Sequence, residues 1–249
     1  MVDDERDTAI GRLYGVGTGP GDPELMTLKA VRILSECPVV AYFCKRSGSG
    51  NALRTASGHL RDDHIMVPMP YPVTTELPHD SPEYQQRIDA FFDESAEAVA
   101  EHLNAGRSVA VLSEGDPFFY GSFMHIFLRL RERFRSDVIP GVPAMLAGAA
   151  QLPRPLTMRD DVLSVIPGTL PDDELDAAIA GAEAAVIMKV GRNLPRIRRA
   201  LHAAGVAERA WYVERASMER QEVMPFPEAP ADGAPYFSLI VVPGSGARS

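Results

Sequence analysis

Four glycines alternate with other residues in a loop near the start of the chain, at positions 15, 17, 19 and 21. The loop follows a short β-rich segment, residues 13–16, and leads into a pattern of apolar residues at helical spacing. The apolar residues of this pattern are Leu25, Leu28, Val31 and Leu34. Asp22 is placed to cap the helix, and Pro23 suits its first position. Because glycine permits sharp turns and close approach of a ligand, the segment predicts a strand, a ligand-binding loop and a helix.

The glycine spacing separates this loop from two nucleotide-binding motifs. A dinucleotide fingerprint, G-x-G-x-x-G, counted from Gly15 and Gly17 requires a third glycine where the chain has Pro20. The phosphate-binding pattern G-x-x-x-x-G-K-[ST] does not occur in the sequence. A tight strand-to-helix turn is the structural alternative, although four glycines and a proline exceed what such a turn needs.

A second loop repeats this arrangement in the middle of the chain. Residues 109–112 are an apolar segment typical of a buried strand, and residues 113–121, SEGDPFFYG, follow it and precede another helical pattern. In a parallel sheet the carboxyl ends of the strands lie at one edge, where ligands bind. We therefore expect both loops to line one ligand site.

Alternating strand and helix patterns predict an α/β fold with two α/β domains. The first domain, residues 11–118, is expected to contain a mainly parallel sheet with strands over residues 13–16, 39–43, 64–69 and 109–112. A long helix from Tyr84 to Leu103 precedes the last strand. The proline-rich residues 68–82 are expected to form a surface loop or lid.

The second domain, residues 119–249, is predicted to begin with a helix over residues 123–134. Its sheet is expected to be mixed, because its last strands are not cleanly separated by helices. The ligand cleft is expected between the two domains. Residues 1–10, MVDDERDTAI, are predicted to form a disordered acidic tail.

Composition and charge exclude several classes of protein. Hydrophobic residues make up 45% of the chain and charged residues 24%, which excludes a wholly disordered chain. No apolar segment is long enough to span a bilayer and the start is acidic, so we expect a cytoplasmic protein without a membrane partner. The net charge of −9 argues against nucleic-acid binding. The six histidines and two cysteines lack the spacing of metal ligands, so no metal site is expected.

Four segments together resemble the tetrapyrrole methylase family of siroheme and cobalamin biosynthesis, which uses S-adenosylmethionine (SAM). They are VGTGPGDPELMTLKA at residues 16–30, SEGDPFFYG at 113–121, VIPGVPAMLAGAA at 138–150 and IMKVGR at 187–192. The resemblance covers residues 11–244. It implies a methyltransferase of two α/β domains, with SAM as methyl donor, S-adenosylhomocysteine as product, and a homodimer.

Further segments resemble the branch of the family that methylates carbon C20 of precorrin-2, giving precorrin-3A. They are AYFCKRSGSGNALRTA at residues 41–56, MPYPVTT at 69–75 and MKVGRNLPRIRRAL at 188–201. The siroheme branch carries a Gly-Gly-Asp-Pro loop where this chain has Glu114, Gly115, Asp116 and Pro117. The branch that acts on cobalt-factor II looks very similar. A non-catalytic tetrapyrrole-binding protein and an NAD(P)-dependent oxidoreductase are the alternatives of other classes.

The resemblance also implies which residues contact SAM. These are Pro20, Glu114, Gly115, Asp116, Phe119, Pro143, Ala144, Met188 and Ala216. Asp116 is the candidate catalytic or ligand-ordering carboxylate, because it follows a strand end beside the expected sulfonium. A helix cap or an Asx turn before Pro117 is the structural alternative for this residue.

Substrate binding is assigned to basic residues, because precorrin-2 carries many carboxylates that need cationic partners. Lys45, Arg46 and Arg54 follow the second predicted strand, in and beside a glycine-rich loop. Lys189 and Arg192 lie in one of the matching segments and are further candidates. An ordinary solvated basic loop is the alternative interpretation of the first group.

Overall fold

The computed structural model of the protein describes residues 10–72 and 81–246. The chain divides into two compact units, with the division between Pro143 and Ala144. Nearly all of the predicted acidic tail lies outside the described residues, and so do residues 73–80 of the predicted loop or lid.

The first unit contains a parallel sheet with helices on both faces. In chain order its elements are β1 (Leu13–Gly17), α1 (Leu28–Glu36), β2 (Val39–Cys44), α2 (Asn51–Ala56), β3 (Ile65–Pro70), α3 (Pro82–Asn104), β4 (Val109–Ser113), α4 (Phe123–Leu130) and β5 (Ser136–Ile139). The strand order is β3-β2-β4-β1-β5, and neighbouring strands pair in parallel. The predicted parallel sheet is confirmed.

Strand β4 shows why these strands are continuous apolar segments. Val109 and Val111 pack in one cluster with residues of α3 and α4, whereas Ala110 and Leu112 pack in another with residues of α1 and α2. All four side chains are fully buried. Because helices cover both faces of the sheet, its central strands lack the polar alternation of a half-exposed strand.

The first helix begins later than the sequence pattern predicts. Asp22 caps only a short 3-10 turn, Pro23–Leu25, and the cap of α1 is Thr27. The intervening turn changes the helical phase, so the predicted apolar face is wrong at Leu28, whose exposed fraction is 90%.

The first unit extends past residue 118, where the sequence interpretation placed the domain boundary. The predicted helix over residues 123–134 ends at Leu130, and the chain then forms β5. This strand pairs with β1, with Leu13 opposite Ser136. Because α4 and β5 contribute to the first core and the first sheet, the compact units divide after Pro143 rather than as 11–118 and 119–249.

The second unit contains a mixed sheet. Its elements are α5 (Ala144–Ala149), β6 (Leu163–Pro167), α6 (Asp172–Ala180), β7 (Ala184–Met188), α7 (Leu194–Ala203), β8 (Trp211–Glu214), β9 (Glu222–Pro225) and β10 (Ser238–Val242). The strand order is β6-β7-β10-β8-β9. β6 and β7 pair in parallel and the other neighbours are antiparallel, which confirms the predicted mixed sheet. Within the part of the chain that the structure describes, no helix has the length and apolar character needed to cross a membrane.

Candidate functional site

The two glycine loops contact each other through their backbones. Strand β1 lies between β4 and β5, so the loops that follow these three strands emerge side by side at the carboxyl edge of the sheet. The N–H of Gly19 donates to the carbonyl of Gly115 at 3.2 Å, and the N–H of Gly115 donates back at 2.8 Å. The N–H of Thr18 also donates to the carbonyl of Ser113 at 2.9 Å. The shared edge that the sequence predicts for these loops is therefore present.

A third loop, residues 140–143 after β5, closes on the other two. A Cβ atom on Gly141 would lie 2.1 Å from the carbonyl oxygen of Gly115, and a Cβ on Gly17 would lie 2.6 Å from the backbone nitrogen of Gly141. Gly115 also has a φ of 62°, which favours glycine. The three backbones thus meet where a side chain has no room. We call residues 17–19, 113–116 and 140–143 the glycine junction.

Gly15 has a different role from the glycines of the junction. A Cβ atom on Gly15 would lie 2.3 Å from the ring of Phe123, the first residue of α4. This ring is fully buried in the core of the first unit. Gly15 is therefore needed so that α4 can pack on the sheet. Part of the glycine pattern that predicts a ligand loop thus serves packing instead.

Asp116 uses both of its carboxylate oxygens within the glycine junction. Oδ1 accepts a hydrogen bond from the N–H of Phe118 at 2.9 Å, which is the Asx turn foreseen as the structural alternative. Oδ2 accepts from the N–H of Gly141 at 3.1 Å and so ties the loop after β4 to the loop after β5. This geometry is that of the structural alternative, and both roles predicted for Asp116, ligand ordering and proton removal, stay predictions.

Glu114 belongs to the glycine junction and lies near helix α2. The residue keeps exposed surface, but protein atoms surround its carboxyl group closely enough that burial raises the pKa above the ordinary value of 4.5. The neighbouring Asn51 amide and Ala52 backbone, together with the charge of Arg54, act on the pKa in the opposite direction. Sequence reasoning assigned Glu114 to SAM and missed Asn51, whose only signal was its position at the start of a helix after Gly50.

The predicted basic residues of the first unit lie at the carboxyl end of β2. Lys45 and Arg46 are exposed in the loop before α2, and Arg54 is exposed on that helix. Nη2 of Arg46 donates to the carbonyl oxygen of Pro72 at 2.9 Å, and Nη2 of Arg54 donates to Oδ1 of Asn51 at 2.5 Å. Because β2 neighbours β4, these cations lie on the same edge of the sheet as the glycine junction.

The other predicted SAM residues of the first unit also belong to these loops. Pro20 is buried directly after Gly19, and Phe119 is half-buried in the loop after β4. The rings of Phe119 and Tyr120 are 5.0 Å apart in an edge-to-face arrangement. Pro143 is the last residue of the unit and is half-buried.

Three predicted SAM residues of the second unit meet in one small apolar cluster. Ala144 begins α5, Met188 ends β7, and Ala216 follows β8. Ala216 is buried in the cluster, and the other two pack against it. The structure thus brings together residues that are far apart in sequence, although their contact with SAM stays a prediction.

The predicted substrate residues of the second unit directly follow β7. Lys189 is exposed and has a φ of 56°, a left-handed conformation that is uncommon for a residue other than glycine. Its carbonyl accepts a hydrogen bond from Nδ2 of Asn193 at 3.0 Å. Arg192 is exposed in the short turn that follows. Among residues 10–72 and 81–246, no group of His, Cys, Asp and Glu side chains is arranged to hold a metal ion.

The family assignment rests on the sequence as a whole. The profile of the family described as Tetrapyrrole (Corrin/Porphyrin) Methylases matches residues 12–231. The chain belongs to the tetrapyrrole methylase family. The resemblance predicted from the four segments is confirmed.

Curated relatives of this tetrapyrrole methylase include proteins of cobalamin biosynthesis. It is 54% identical to the precorrin-2 C(20)-methyltransferase of a Sinorhizobium species, in an alignment covering 94% of this chain and 96% of the relative. It is 45% identical to the cobalamin biosynthesis protein CobIJ of Mycobacterium tuberculosis over 97% of this chain, which spans only 48% of CobIJ. It is 28% identical to the cobalt-precorrin-2 C(20)-methyltransferase of Salmonella typhimurium over 93% of this chain and 96% of the relative.

Solved structures of the family share the fold of this tetrapyrrole methylase. The methyltransferase CobJ has a TM-score of 0.69 at 20% identity, with 96% of each chain covered. The uroporphyrin-III C-methyl transferase of Thermus thermophilus complexed with S-adenyl homocysteine has a TM-score of 0.63 at 28% identity, with 96% of this chain and 99% of the other covered.

Proposed function

We propose that this tetrapyrrole methylase transfers a methyl group from SAM to carbon C20 of precorrin-2, giving precorrin-3A in cobalamin biosynthesis. The observation that carries the proposal is the 54% identity, over 94% of the chain, to a protein named for this reaction. The identity to a cobalt-precorrin-2 relative is 28%, which favours the metal-free substrate. We further propose a cytoplasmic enzyme that acts as a homodimer.

The chemistry of the first two glycine loops fits a cationic methyl donor. The first two loops, residues 15–22 and 113–121, contain the carboxylates Asp22, Glu114 and Asp116, and neither loop contains a lysine or an arginine. A sulfonium and the hydroxyls of a ribose suit carboxylate and backbone partners. A pyrophosphate would meet like charge here, so the same residues argue against a NAD(P)-dependent oxidoreductase.

When bound, SAM supplies an electrophilic methyl group, and the protein has mainly to align the accepting carbon with it and to exclude water. We assign the alignment of the donor to the glycine junction, which Asp116 ties together through two backbone N–H groups. We assign the alignment of the tetrapyrrole to the cations Lys45, Arg46, Arg54, Lys189 and Arg192. Removal of a proton from the macrocycle accompanies methylation at carbon, and Asp116 is the candidate to accept it.

The proposed function is tested with purified protein, precorrin-2 and isotopically labelled SAM. We expect mass spectrometry to find one added methyl group and NMR to locate it at C20. Calorimetry is expected to give SAM binding in the micromolar range. Binding of SAM without methylation would favour a tetrapyrrole-binding protein, and methylation only of cobalt-factor II would assign the anaerobic reaction. Absence of SAM binding would contradict the methyltransferase proposal.

Loss of the two cations after β2 is expected to weaken the binding of the tetrapyrrole. The double variant Lys45→Ala, Arg46→Ala removes two exposed charges from the edge that carries the glycine junction, so we expect the KM for precorrin-2 to rise about tenfold. The Kd of SAM is expected to stay unchanged. Initial rates and calorimetry measure the two quantities.

The control for this double variant is Lys29→Ala with Arg32→Ala, which removes two exposed charges from α1. It is expected to leave both constants at their original values. An unchanged KM in the Lys45 and Arg46 variant would remove these residues from the substrate site.

A further inference from the structure

Strand β8 of the second unit ends in a buried carboxylate, Glu214, whose exposed fraction is 6%. Its Oε2 accepts a hydrogen bond from the hydroxyl of Tyr212 at 2.8 Å, and this hydroxyl also lies 3.1 Å from Oγ of Ser238 on β10. Its Oε1 accepts from Nη1 of Arg215, with which it forms an ion pair. Both carboxylate oxygens therefore have the partners that a buried charge requires.

The backbone of Arg215 is fixed as firmly as its side chain. The residue follows β8 directly and has a φ of 50°, a left-handed conformation that costs free energy in a residue other than glycine. Its N–H donates to the carbonyl of Phe237 at 2.7 Å, and its carbonyl accepts from the N–H of Met218 at 2.9 Å. Backbone hydrogen bonds and the ion pair with Glu214 thus determine where the guanidinium lies.

Arg215 lies at the same edge of the second sheet as the predicted substrate residue Lys189. Strand β10 pairs antiparallel with both β7 and β8, so β7 and β8 run in one direction and end at one edge. Lys189 follows β7 as Arg215 follows β8, and both are left-handed. Each is also next in sequence to a predicted SAM residue of the same apolar cluster, Met188 for Lys189 and Ala216 for Arg215. The ends of the two strands therefore have the same arrangement.

The stability of the fold does not by itself explain the pair of Glu214 and Arg215. Burying charges costs free energy that their attraction often fails to repay, and apolar residues would fill a strand end equally well. The side chain of Glu214 is 8% exposed and that of Arg215 is 35% exposed, so the arginine is the member of the pair that solvent and ligands can reach. A guanidinium has five N–H donors and can hold Glu214 and a ligand carboxylate at once.

We propose that Arg215 binds a carboxylate of the tetrapyrrole and that Glu214 is the positioning residue that orients it. The inference rests on the proposed function and adds a third cation of the second unit to Lys189 and Arg192. The planar donors of a guanidinium match a carboxylate, and the strength of this pairing depends on orientation. Holding the side chain in advance also reduces the entropy that is lost when the ligand binds.

The first test replaces Arg215. We expect Arg215→Ala to raise the KM for precorrin-2 about tenfold, while kcat and the Kd of SAM change less than about twofold. Arg215→Lys keeps the charge without the planar pair of donors, so we expect it to recover only part of the loss. The control is Arg220→Ala, which removes an exposed arginine from the same loop and is expected to change none of the three constants.

The second test replaces Glu214. Glu214→Gln keeps the size of the side chain but removes the charge that orients the guanidinium, so we expect the KM to rise about threefold with kcat unchanged. Combined with Arg215→Ala, it is expected to raise the KM no further, because both changes remove one interaction. The double variant also guards against unfolding, since Arg215→Ala alone leaves a buried carboxylate without its cation. Thermal melting shows whether each variant keeps its fold.

Three results would overturn the proposal. An unchanged KM in the folded double variant would remove Arg215 from the substrate site. Equal losses of SAM affinity and precorrin-2 affinity in that variant would place Arg215 on the cofactor side. A further rise of the KM when Glu214→Gln is added to Arg215→Ala would show that Glu214 acts in another way than through Arg215.

Calorimetry with precorrin-2 in the presence of S-adenosylhomocysteine separates this inference from the proposed function. If the original protein bound precorrin-2 without methylating it, and Arg215→Ala bound it about tenfold more weakly, the proposed reaction would be wrong and the role of Arg215 would stand. If methylation occurred and Arg215→Ala bound precorrin-2 as tightly as the original protein, the reverse would hold. Absence of precorrin-2 binding by the original protein would contradict both.

Discussion

Replacing Gly141 with alanine is expected to lower SAM affinity by roughly ten- to hundredfold, the effect of an overlap costing about 1–3 kcal/mol. The new Cβ would lie 2.1 Å from the carbonyl oxygen of Gly115. The obstacle is backbone, so the overlap is relieved only if the loops after β4 and β5 separate. That movement would also break the hydrogen bond from the Gly141 N–H to Asp116. Calorimetry with SAM measures the loss.

Gly58→Ala is the matched control for this change. A Cβ at position 58 meets no atom within 4 Å, and the residue is exposed, so the same substitution is expected to alter stability by less than about 0.5 kcal/mol and to leave SAM binding alone. Thermal melting separates a local displacement from unfolding. If Gly141→Ala bound SAM as tightly as the original protein, the glycine junction would not be the cofactor site.

The second large effect is expected from Asp116→Asn. Both oxygens of Asp116 accept backbone N–H groups, from Phe118 at 2.9 Å and from Gly141 at 3.1 Å. Asparagine offers one acceptor and one donor, so in either orientation an N–H group of the junction would face another donor. Loss of a hydrogen bond to a charged acceptor costs about 1.5–3 kcal/mol, and we expect SAM affinity to fall at least about tenfold.

The ratio of the loss in turnover to the loss in SAM affinity in Asp116→Asn distinguishes the roles of this carboxylate. A residue that orders the loops is expected to reduce SAM affinity and turnover together. A turnover that falls by several orders of magnitude with unchanged SAM affinity would instead assign proton removal to Asp116. The control is Asp137→Asn on β5, where the carboxylate pairs with Arg12 at 2.9 Å and both partners are partly exposed. We expect this control to change neither constant.

Much of the site can be predicted from short sequence segments, because neighbouring residues specify the strand ends and the glycine loops. Glycines after an apolar segment predict a loop at a strand end, and parallel pairing brings such loops to one edge. These two rules, together with the order of the strands, account for the contact between Gly19 and Gly115. The family resemblance then indicated SAM as the ligand, which the spacing of the glycines alone could not indicate.

The nearness of Glu114 to Asn51 and Arg54 could not be predicted in the same way. These side chains meet because β2 and β4 are neighbours in the sheet, and nothing in either segment specifies that pairing. The boundary between the two units was placed too early in the sequence for a related reason. β5 has only four residues and lies close after a helix, so its pattern is too short to identify a strand.

The pairing of β5 with β1 determines how this protein can be dissected. A fragment ending at residue 118 would leave one side of β1 without its hydrogen-bonding partner and would remove Phe123 from a core that surrounds it. An unpaired strand next to exposed apolar surface invites association with other chains. Expression of the first unit alone therefore calls for a chain that continues at least to Pro143.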